Sequence, residues 1–248
     1  IDENCIIITP FHKAMNKLVE LSRGNNRYSS CAQGVWETVK DNLNQGEDFT
    51  IRVKDIESGI FLDKLNLIQA YKQYELNKIR RNIDQSFEFD INFGILFDKN
   101  LNNHDLNYRY QLFCSKINII KDNGISLINS SNCPVFEGNQ GVLLDDYYGF
   151  HPYSTPTKTT PLHAVNLLNN TKFKNNFESI GVLRTFLTRH GNGPLHTEFK
   201  DDDITLCLDD DNKHNEWQGH FREGWQDLVM LRYAINAIKQ DGCKIDSL

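Results

Sequence analysis

The stretch Phe136–Asp145, FEGNQGVLLD, is the part of the sequence that says most about the fold. It predicts a strand that runs into a loop, in which Gly138 and Gly141 allow the backbone to approach a ligand closely. The side-chain amide of Gln140 offers both a donor and an acceptor, which suits a purine edge or a phosphate. Two glycines at this spacing are common in proteins, so the prediction of a ligand-binding loop also depends on the neighbouring segments.

Two further polar segments follow: His151–Thr155, HPYST, and Lys158–Thr160, KTT, which precedes a predicted helix. Hydroxyl and backbone N–H groups at the start of a helix suit an anion. The same groups also serve as ordinary N-caps, and the spacing favours neither interpretation.

Upstream of this region the chain alternates between predicted strands and helices. The apolar run Cys5–Ile8 predicts a buried strand, and Pro10 opens a helix whose apolar residues recur at intervals of three and four. Residues 58–81 contain a second amphipathic helix, and helical patterns continue through about 105–120. The Asn-rich region 76–107 predicts a peripheral helical excursion rather than catalytic machinery.

Downstream, residues 126–166 are rich in Gly, Pro, Thr and aromatic residues, which is typical of loops at the end of a sheet. Residues 179–187 predict a strand, residues 225–239 a helix that ends near Asp241, and residues 243–246 the start of another strand. Strands and helices in alternation favour an α/β fold.

Two acidic triplets, Asp201–Asp203 and Asp209–Asp211, flank the apolar run Ile204–Leu208. A short strand between two solvated turns explains this pattern, and calcium binding is the alternative. The spacing lacks the central glycine and distal glutamate of an EF-hand, which argues against calcium.

Composition argues against several classes of function. The formal net charge of −6 argues against general nucleic-acid binding, because that binding draws its affinity mainly from neutralised phosphates. No apolar run approaches the roughly 18 residues of a membrane-spanning helix. The cysteines are scattered without a C-x-x-C pair, which excludes the usual zinc spacing and predicts reduced thiols in a cytoplasmic protein.

Several segments resemble the adenylosuccinate synthetase family. FEGNQGVLLD with HPYST and KTT resembles the family segment whose loops hold inosine monophosphate. Four other matches occur in the same order as in the family and cover nearly all of the sequence. Pro10–Gly34 resembles the helix and phosphate loop, and Thr188–Pro194 resembles the T-R-x-G-x-G-P segment. Arg222–Asp227 resembles the end of the aspartate loop, and Cys243–Asp246 resembles the T-K-x-D guanine site. The match is closer to a divergent branch of the family than to its housekeeping members.

The resemblance implies a fold and a reaction. The fold would be the central portion of one synthetase-like domain over residues 1–248, a mixed, mostly parallel sheet flanked by helices, with the helical excursion at about 58–120. In the reaction, a nucleoside triphosphate phosphorylates the 6-oxygen of a purine monophosphate, and the amine of aspartate, or of a related compound, displaces that phosphate. The family also implies a homodimer.

The resemblance assigns the purine monophosphate to two places in the chain. Gln140 and Thr155 would contact the monophosphate. Ser30 and Cys31 take the places of the threonines in the family's phosphate loop. A nucleophilic role for Cys31 is not expected, because no basic partner adjoins it.

The resemblance also assigns residues to the amino acid and to the guanine base. Arg222 would lie beside the aspartate carboxylates, where a guanidinium fork is the natural partner. His190 falls where the family presents backbone to aspartate. Its side chain could therefore either bind the substrate or pack against the protein. Lys244 would lie beneath the base, and Asp246 would accept hydrogen bonds from guanine.

The sequence also departs from the family. It has no G-x-x-x-x-G-K pattern, so the phosphate-binding P-loop, the catalytic Asp and His and the magnesium ligands of an intact enzyme would precede Ile1. The last part of the base pocket would follow Asp246. The aspartate loop reads Gln218–Arg222 where the family has a run of arginines, which leaves one certain cation for two carboxylates.

Two interpretations therefore remain open. In the first, the chain is the central part of a purine-nucleotide ligase, whose other segments come from the same protein or from a complementing chain. In the second, it is a catalytically incomplete relative that binds a nucleotide or a partner protein. Because a partial α/β sheet exposes strand edges and apolar surface, we expect the chain alone to be poorly soluble.

Overall fold

The computed structural model describes residues 1–84, 86–97, 102–138, 140–200 and 214–248. The described chain divides into two units, Ile1–Gly124 and Ile125–Leu248. The expectation of a single synthetase-like domain over residues 1–248 stays a prediction. The acidic triplets, the strand expected between them and the calcium alternative lie outside the described residues. No helix within those ranges is both long and apolar enough to cross a membrane.

The first unit is helical. Its elements are α1 (Pro10–Ser22), α2 (Val35–Gln45), α3 (Val53–Ser58), α4 (Phe61–Ile79), α5 (Phe87–Phe97) and α6 (Asn103–Cys114). Helix α1 begins at Pro10 as predicted, because proline is favoured in the first turn and the Thr9 hydroxyl accepts the His12 N–H. Helix α4 lies within the amphipathic stretch predicted at 58–81.

One hydrophobic core holds these helices together, with α1 packed against α2, α4 and α5. It comprises Phe11, Ala14, Met15, Leu18, Ile51, Ile56, Phe61, Leu65, Ile68, Leu76, Ile83, Phe89 and Leu96. The Asn-rich region is therefore not peripheral to its own unit, since α5 buries Phe89 and Leu96 in this core. Helix α5 is itself rich in apolar residues, but the sequence-based prediction treated it together with the Asn-rich residues on either side.

The segment Cys5–Ile8 is extended but is not the buried strand that its apolar run predicts. Its contacts are single backbone bonds, such as Ile7 N–H to Ile51 O at 2.8 Å, and an isolated antiparallel bridge between Ile6 and Arg52. Cys5 is exposed. The chain turns into the cap of α1 at Thr9, so a longer ladder has no room to form.

The second unit combines short helices with one antiparallel strand pair. Its elements are α7 (Ile125–Ser130), α8 (Leu162–Leu168), β1 (Phe186–His190), β2 (Phe221–Trp225) and α9 (Leu228–Gln240). Strand β1 pairs with β2 so that Phe186 lies opposite Trp225 and His190 opposite Phe221. The loops predicted for 126–166 lie between α7 and α8, and these two helices occupy the ends of that stretch. The predicted strand at 179–187 enters the ladder only at Phe186.

Helices together with paired strands agree with the predicted α/β class. Within the described ranges the ladder is antiparallel, and parallel pairing is confined there to the bridges Asp2–Ile120 and Ile180–Ser247. The second bridge involves the end of the chain, where residues 243–246 predicted the start of a strand.

Candidate functional site

The second unit contains an open pocket of about 430 Å³ next to the β1–β2 pair. It is lined by Tyr153, Gly191, Asn192, Gly193, Gly219, His220 and Arg222. All three glycines that line it have a positive φ, +66° at Gly191, +107° at Gly193 and +85° at Gly219, a conformation that favours glycine. A Cβ on Gly193 would also overlap the Arg189 guanidinium. A side chain at Gly193 would therefore displace the Arg189 guanidinium from its place beside the pocket.

Arg222 lines this pocket but is held by the chain's own groups. Its Nη1 donates to the carbonyls of Gly191 (2.9 Å) and Gly193 (2.8 Å), and its Nε donates to Glu198 Oε1 at 2.7 Å. Its Nη2 donates to the second Glu198 oxygen. This fork lowers the pKa of Glu198 and raises that of Arg222. The guanidinium charge is thus compensated before any substrate carboxylate arrives.

Arg189 holds two of the residues that line the pocket, Asn192 and Tyr153, by their carbonyl groups. Its Nε donates to Asn192 O at 2.9 Å and its Nη2 to Tyr153 O at 3.0 Å. Burial and the nearby Arg222 lower its pKa. The motifs in the sequence predicted no role for Arg189, Glu198 or Tyr153. Spacing could not reveal them, because Tyr153 and Arg189 are brought together only by the fold.

The two histidines near the pocket differ in position. The His190 ring packs edge to face against Phe221, with centroids 4.9 Å apart, and its Nδ1 is buried. His190 is not among the lining residues, and this arrangement favours the packing alternative. His220 lines the pocket, and its ring lies 4.7 Å from that of His214.

The loop that follows Gln140 is organised around Asp145, whose side chain is fully buried. Its carboxylate accepts the N–H groups of Thr159 (2.7 Å), Tyr147 (2.9 Å) and Tyr148 (3.2 Å). Burial alone would raise the pKa of Asp145, but these N–H donors outweigh it and hold the pKa at about 2. Asp145 therefore stays ionised and keeps the loop in one shape.

The hydroxyls of the KTT segment neither cap a helix nor stay available to an anion. Thr159 Oγ1 donates to Gly141 O at 3.1 Å, and Thr160 Oγ1 donates to Asp241 Oδ2 at 2.5 Å. Helix α8, which follows, begins without a side-chain cap. The hydroxyls therefore serve neither anion binding nor N-capping in this structure. They bond this loop to Gly141 and to the end of α9 instead.

Gln140 and Thr155 lie on neighbouring parts of this loop cluster. Gln140 is exposed, and Thr155 is half-buried with its N–H donated to Leu144 O at 2.7 Å. The Thr155 hydroxyl lies 3.5 Å from that of Thr157. Their contact with a monophosphate stays a prediction.

Lys244 and Asp246 form an ion pair with each other. Lys244 Nζ lies 2.6 Å from Asp246 Oδ1, and Asp246 Oδ2 accepts the Ser179 N–H at 2.9 Å. Both bonds lower the pKa of Asp246. The resemblance puts Lys244 beneath a base, whereas here its ammonium lies against the carboxylate. The base-binding roles of both residues stay predictions.

Ser30 and Cys31 belong to the first unit, in the loop before α2. The Ser30 oxygen accepts from Asn16 Nδ2 (3.1 Å) and from the Ala32 N–H (3.4 Å), which leaves its own hydrogen to donate. The Gly34 N–H donates to Asn16 Oδ1 at 3.1 Å. Cys31 is exposed. The loop is thus held by its own neighbours, with a hydroxyl donor and the N-terminus of α2 beside it.

The first unit also holds a cluster of carboxylates with metal-like spacing, Glu37, Asp41 and Glu75. Lys72 occupies its centre: its Nζ lies 3.0 Å, 2.6 Å and 2.7 Å from these carboxylates, respectively. Burial would lower the pKa of Lys72, but the three carboxylates raise it instead. Because an ammonium already takes the place of a cation, these residues do not fit magnesium.

The family model for adenylosuccinate synthetase matches residues 1–248. Similar curated proteins are the adenylosuccinate synthetases of Clostridium perfringens (25% identical, 94% of this chain and 51% of that protein) and Chlorobium luteolum (29%, 97% and 52%). The enzyme of Thermoplasma volcanium is 27% identical, with 100% of this chain and 54% of that protein covered. The chain spans about half the length of these relatives.

A solved structure of fully ligated adenylosuccinate synthetase from Plasmodium falciparum has a similar fold. The TM-score is 0.66 at 18% identity, and the match covers 94% of this chain and 51% of that one. This likeness confirms the α/β fold class. The match of the family model over the whole chain shows that the protein belongs to the adenylosuccinate synthetase family.

Proposed function

We propose that this chain carries the purine-monophosphate and amino-acid binding part of a carbon–nitrogen ligase of the adenylosuccinate synthetase type. The intact ligase would use a nucleoside triphosphate, GTP if the guanine site is retained, to phosphorylate the purine 6-oxygen. The amine of aspartate, or of a related compound, would then displace that phosphate. Magnesium would be bound by residues outside the 248 residues of this chain.

The pocket of the second unit is the observation that carries this proposal. It forms where Gly191–Gly193 of the T-R-H-G-N-G-P segment meet Gly219–Arg222, and these two segments are the ones whose family counterparts hold aspartate. Its wall is backbone fixed by Arg189 and Arg222. A rigid, concave site with polar groups at its rim suits a small polar substrate.

The loop before α2 supports the monophosphate half of the proposal. The Ser30 hydroxyl hydrogen is left to donate, because the oxygen already accepts two bonds. Helix α2 runs over Val35–Gln45 and its N-terminus favours an anion. A phosphate at this loop would meet a donor and a positive helix end together.

Cytoplasmic location, a homodimer and a complementing chain belong to the same proposal. The scattered cysteines support a reducing compartment, and Cys5, Cys31, Cys114, Cys133 and Cys243 are all free thiols. A dimer is supported by the family alone.

The test is binding followed by turnover. Calorimetric titration with inosine monophosphate should give saturable binding that Ser30→Ala weakens about tenfold, since a hydrogen bond to a charged group is lost. Ser58→Ala is the matched control, because its hydroxyl donates to Asp55 O within α3 and not in this loop. If wild-type chain shows no monophosphate binding, the proposal is wrong.

Turnover separates the two interpretations of the sequence. The chain is incubated with GTP, inosine monophosphate, aspartate and magnesium, and adenylosuccinate and GDP are resolved by chromatography. Product formation supports a ligase that is complete or complemented. Saturable binding without product supports the catalytically incomplete relative.

A further inference from the structure

The loop before α2 holds two of its residues in a backbone conformation that they disfavour. Ser29 has φ +60° and Ala32 has φ +53°, in the left-handed region that is costly for a residue with a Cβ. The other non-glycine residues of the described chain with positive φ are Asn123 and Asn175, and asparagine tolerates this region better. Such strain persists only where the surrounding structure holds it, and it occurs mainly at functional sites.

Two buried side chains of helix α1 hold this loop. Glu20 is fully buried, and its Oε2 accepts the Ser29 N–H at 3.2 Å. Asn16 is also buried; its Oδ1 accepts the Gly34 N–H at 3.1 Å, and its Nδ2 donates to Ser30 Oγ at 3.1 Å. The two side chains are four residues apart and therefore lie on the same face of α1. That face is bonded to the loop on both sides of Cys31.

The bond from Asn16 also determines what the Ser30 hydroxyl can do. The Ser30 oxygen accepts two hydrogen bonds, from Asn16 Nδ2 and from the Ala32 N–H at 3.4 Å, so both of its lone pairs are occupied. The hydroxyl hydrogen is left to donate, and it must point away from both of these partners. A ligand at this hydroxyl therefore has to offer an acceptor, as the oxygens of a phosphate group do.

We infer that Asn16 and Glu20 are positioning residues of the monophosphate site. Asn16 keeps the Ser30 hydroxyl directed at the ligand, and Glu20 keeps the strained loop in the shape that places this hydroxyl. The inference rests on the proposed function of the loop. Because both side chains are buried in α1, they act through Ser29 and Ser30 and do not need to touch the ligand.

Calorimetric titration of the full chain with inosine monophosphate tests the role of Asn16. Asn16→Ala should weaken binding about tenfold, because the Ser30 hydroxyl is no longer held in one orientation. Combining it with Ser30→Ala should weaken binding little further than either single variant, since Asn16 acts largely through that hydroxyl. Asn92→Ala is the matched control: this asparagine is also buried and donates to a backbone carbonyl, but within α5, so affinity should be unchanged.

The role of Glu20 has its own readout, which also decides the question if Asn16→Ala does not fold. The Glu20 carboxylate bonds the Ser29 N–H and pairs with Arg23. In Glu20→Gln a neutral amide holds that N–H less firmly, so monophosphate affinity should fall about fivefold. Adding Ser29→Gly should restore most of the affinity, because glycine adopts the left-handed conformation without being held there.

Four results would overturn this inference and leave the monophosphate site in place. They are unchanged affinity in Asn16→Ala, full additivity of Asn16→Ala with Ser30→Ala, an equal loss in Asn92→Ala, and a loss in Glu20→Gln that Ser29→Gly does not restore. Absence of inosine monophosphate binding by the wild-type chain would overturn the proposed function together with the inference.

Discussion

Single cations in this chain are held by carboxylates that lie far away in the sequence. Lys72 on α4 contacts Glu37 and Asp41 on α2, and Arg222 on β2 contacts Glu198. Lys72 is fully buried, so its charge has lost its water and depends on these partners. Removing one member of such a group leaves charge behind in the interior.

Lys72→Met should lower the free energy of unfolding by about 3–5 kcal/mol, because the buried carboxylates Glu37 and Asp41 would lose the ammonium that lies between them. Lys40→Met is the control: its ammonium is 28% exposed and contacts Glu37 and Glu75, so the loss should be about 1 kcal/mol or less. Urea unfolding at neutral pH measures both values. Equal losses of unfolding free energy in the two variants would show that the burial of Lys72 does not determine how much it stabilises the protein.

His12 makes stability depend on pH. Thr9 N–H donates to Nδ1 at 3.1 Å, and Nε2 lies 3.2 Å from Asp41 Oδ2, so the neutral ring with its hydrogen on Nε2 fits both partners. Burial lowers the pKa of His12 despite Asp41. The folded state thus binds fewer protons than the unfolded state. The stability that His12 contributes is complete above about pH 6.5, the pKa of histidine in the unfolded chain. It is lost as the pH falls towards the lower pKa of the folded state.

Urea unfolding between about pH 8 and about pH 5 checks this sign. Wild type should lose stability over the lower half of that range, and His12→Gln should start less stable and lose less over the same range. His163→Gln on the short helix α8 is a control on an exposed histidine and should behave as wild type. A wild-type stability that increases towards acid would contradict the assignment.

Helix α2 and the loop before it meet at Gly34, an element boundary set by one glycine. Gly34 has φ +87° and ψ 3° at the N-cap, and a Cβ there would lie 2.8 Å from Lys13 N and 3.0 Å from Ile8 Cγ2. Gly59, the C-cap of α3, has nearly the same dihedral angles, φ +84° and ψ −3°, in open space. A comparison of alanine substitutions at these two glycines therefore separates the cost of the left-handed backbone from the cost of a steric clash.

Gly59→Ala should lower the free energy of unfolding by about 1–2 kcal/mol, the cost of the left-handed conformation for alanine. Gly34→Ala should lower it by more, because α1 and the loop must also move. It should in addition weaken monophosphate binding, which Gly59→Ala should leave unchanged. Thermal unfolding and calorimetry give the two measurements, and equal effects of the two variants would contradict this account.

Helices were predicted better than strands, for physical reasons that particular residues show. Pro10 and Asp227 mark helix starts through local bonds: the Asp227 side chain accepts the N–H groups of Val229 and Met230. Strand β1 was placed several residues too early, since its register depends on β2, more than 30 residues away. The Arg222–Glu198 fork was missed for the same reason, because no periodicity links its members.

At the scale of the whole molecule, both units carry large exposed apolar side chains. In the second unit Val182 is 90% exposed and Ile180 is 64% exposed, on an extended segment whose described pairing is a bridge from Ile180 to Ser247. An apolar segment whose backbone is only partly paired, here through Ser179, Gly181 and Arg184, is a template for pairing with another chain. This agrees with the expectation of poor solubility, which stays a prediction.

Val182→Lys should therefore reduce self-association of the chain, because a charge on this segment opposes pairing with a second copy. It should not alter thermal stability by more than about 0.5 kcal/mol, since the side chain is exposed. Leu43→Lys is the matched control: Leu43 is 75% exposed but lies on α2, whose backbone groups are already paired within the helix. Light scattering against protein concentration measures both variants. If Leu43→Lys improves solubility as much as Val182→Lys, exposed apolar area rather than the unpaired backbone of this segment drives association.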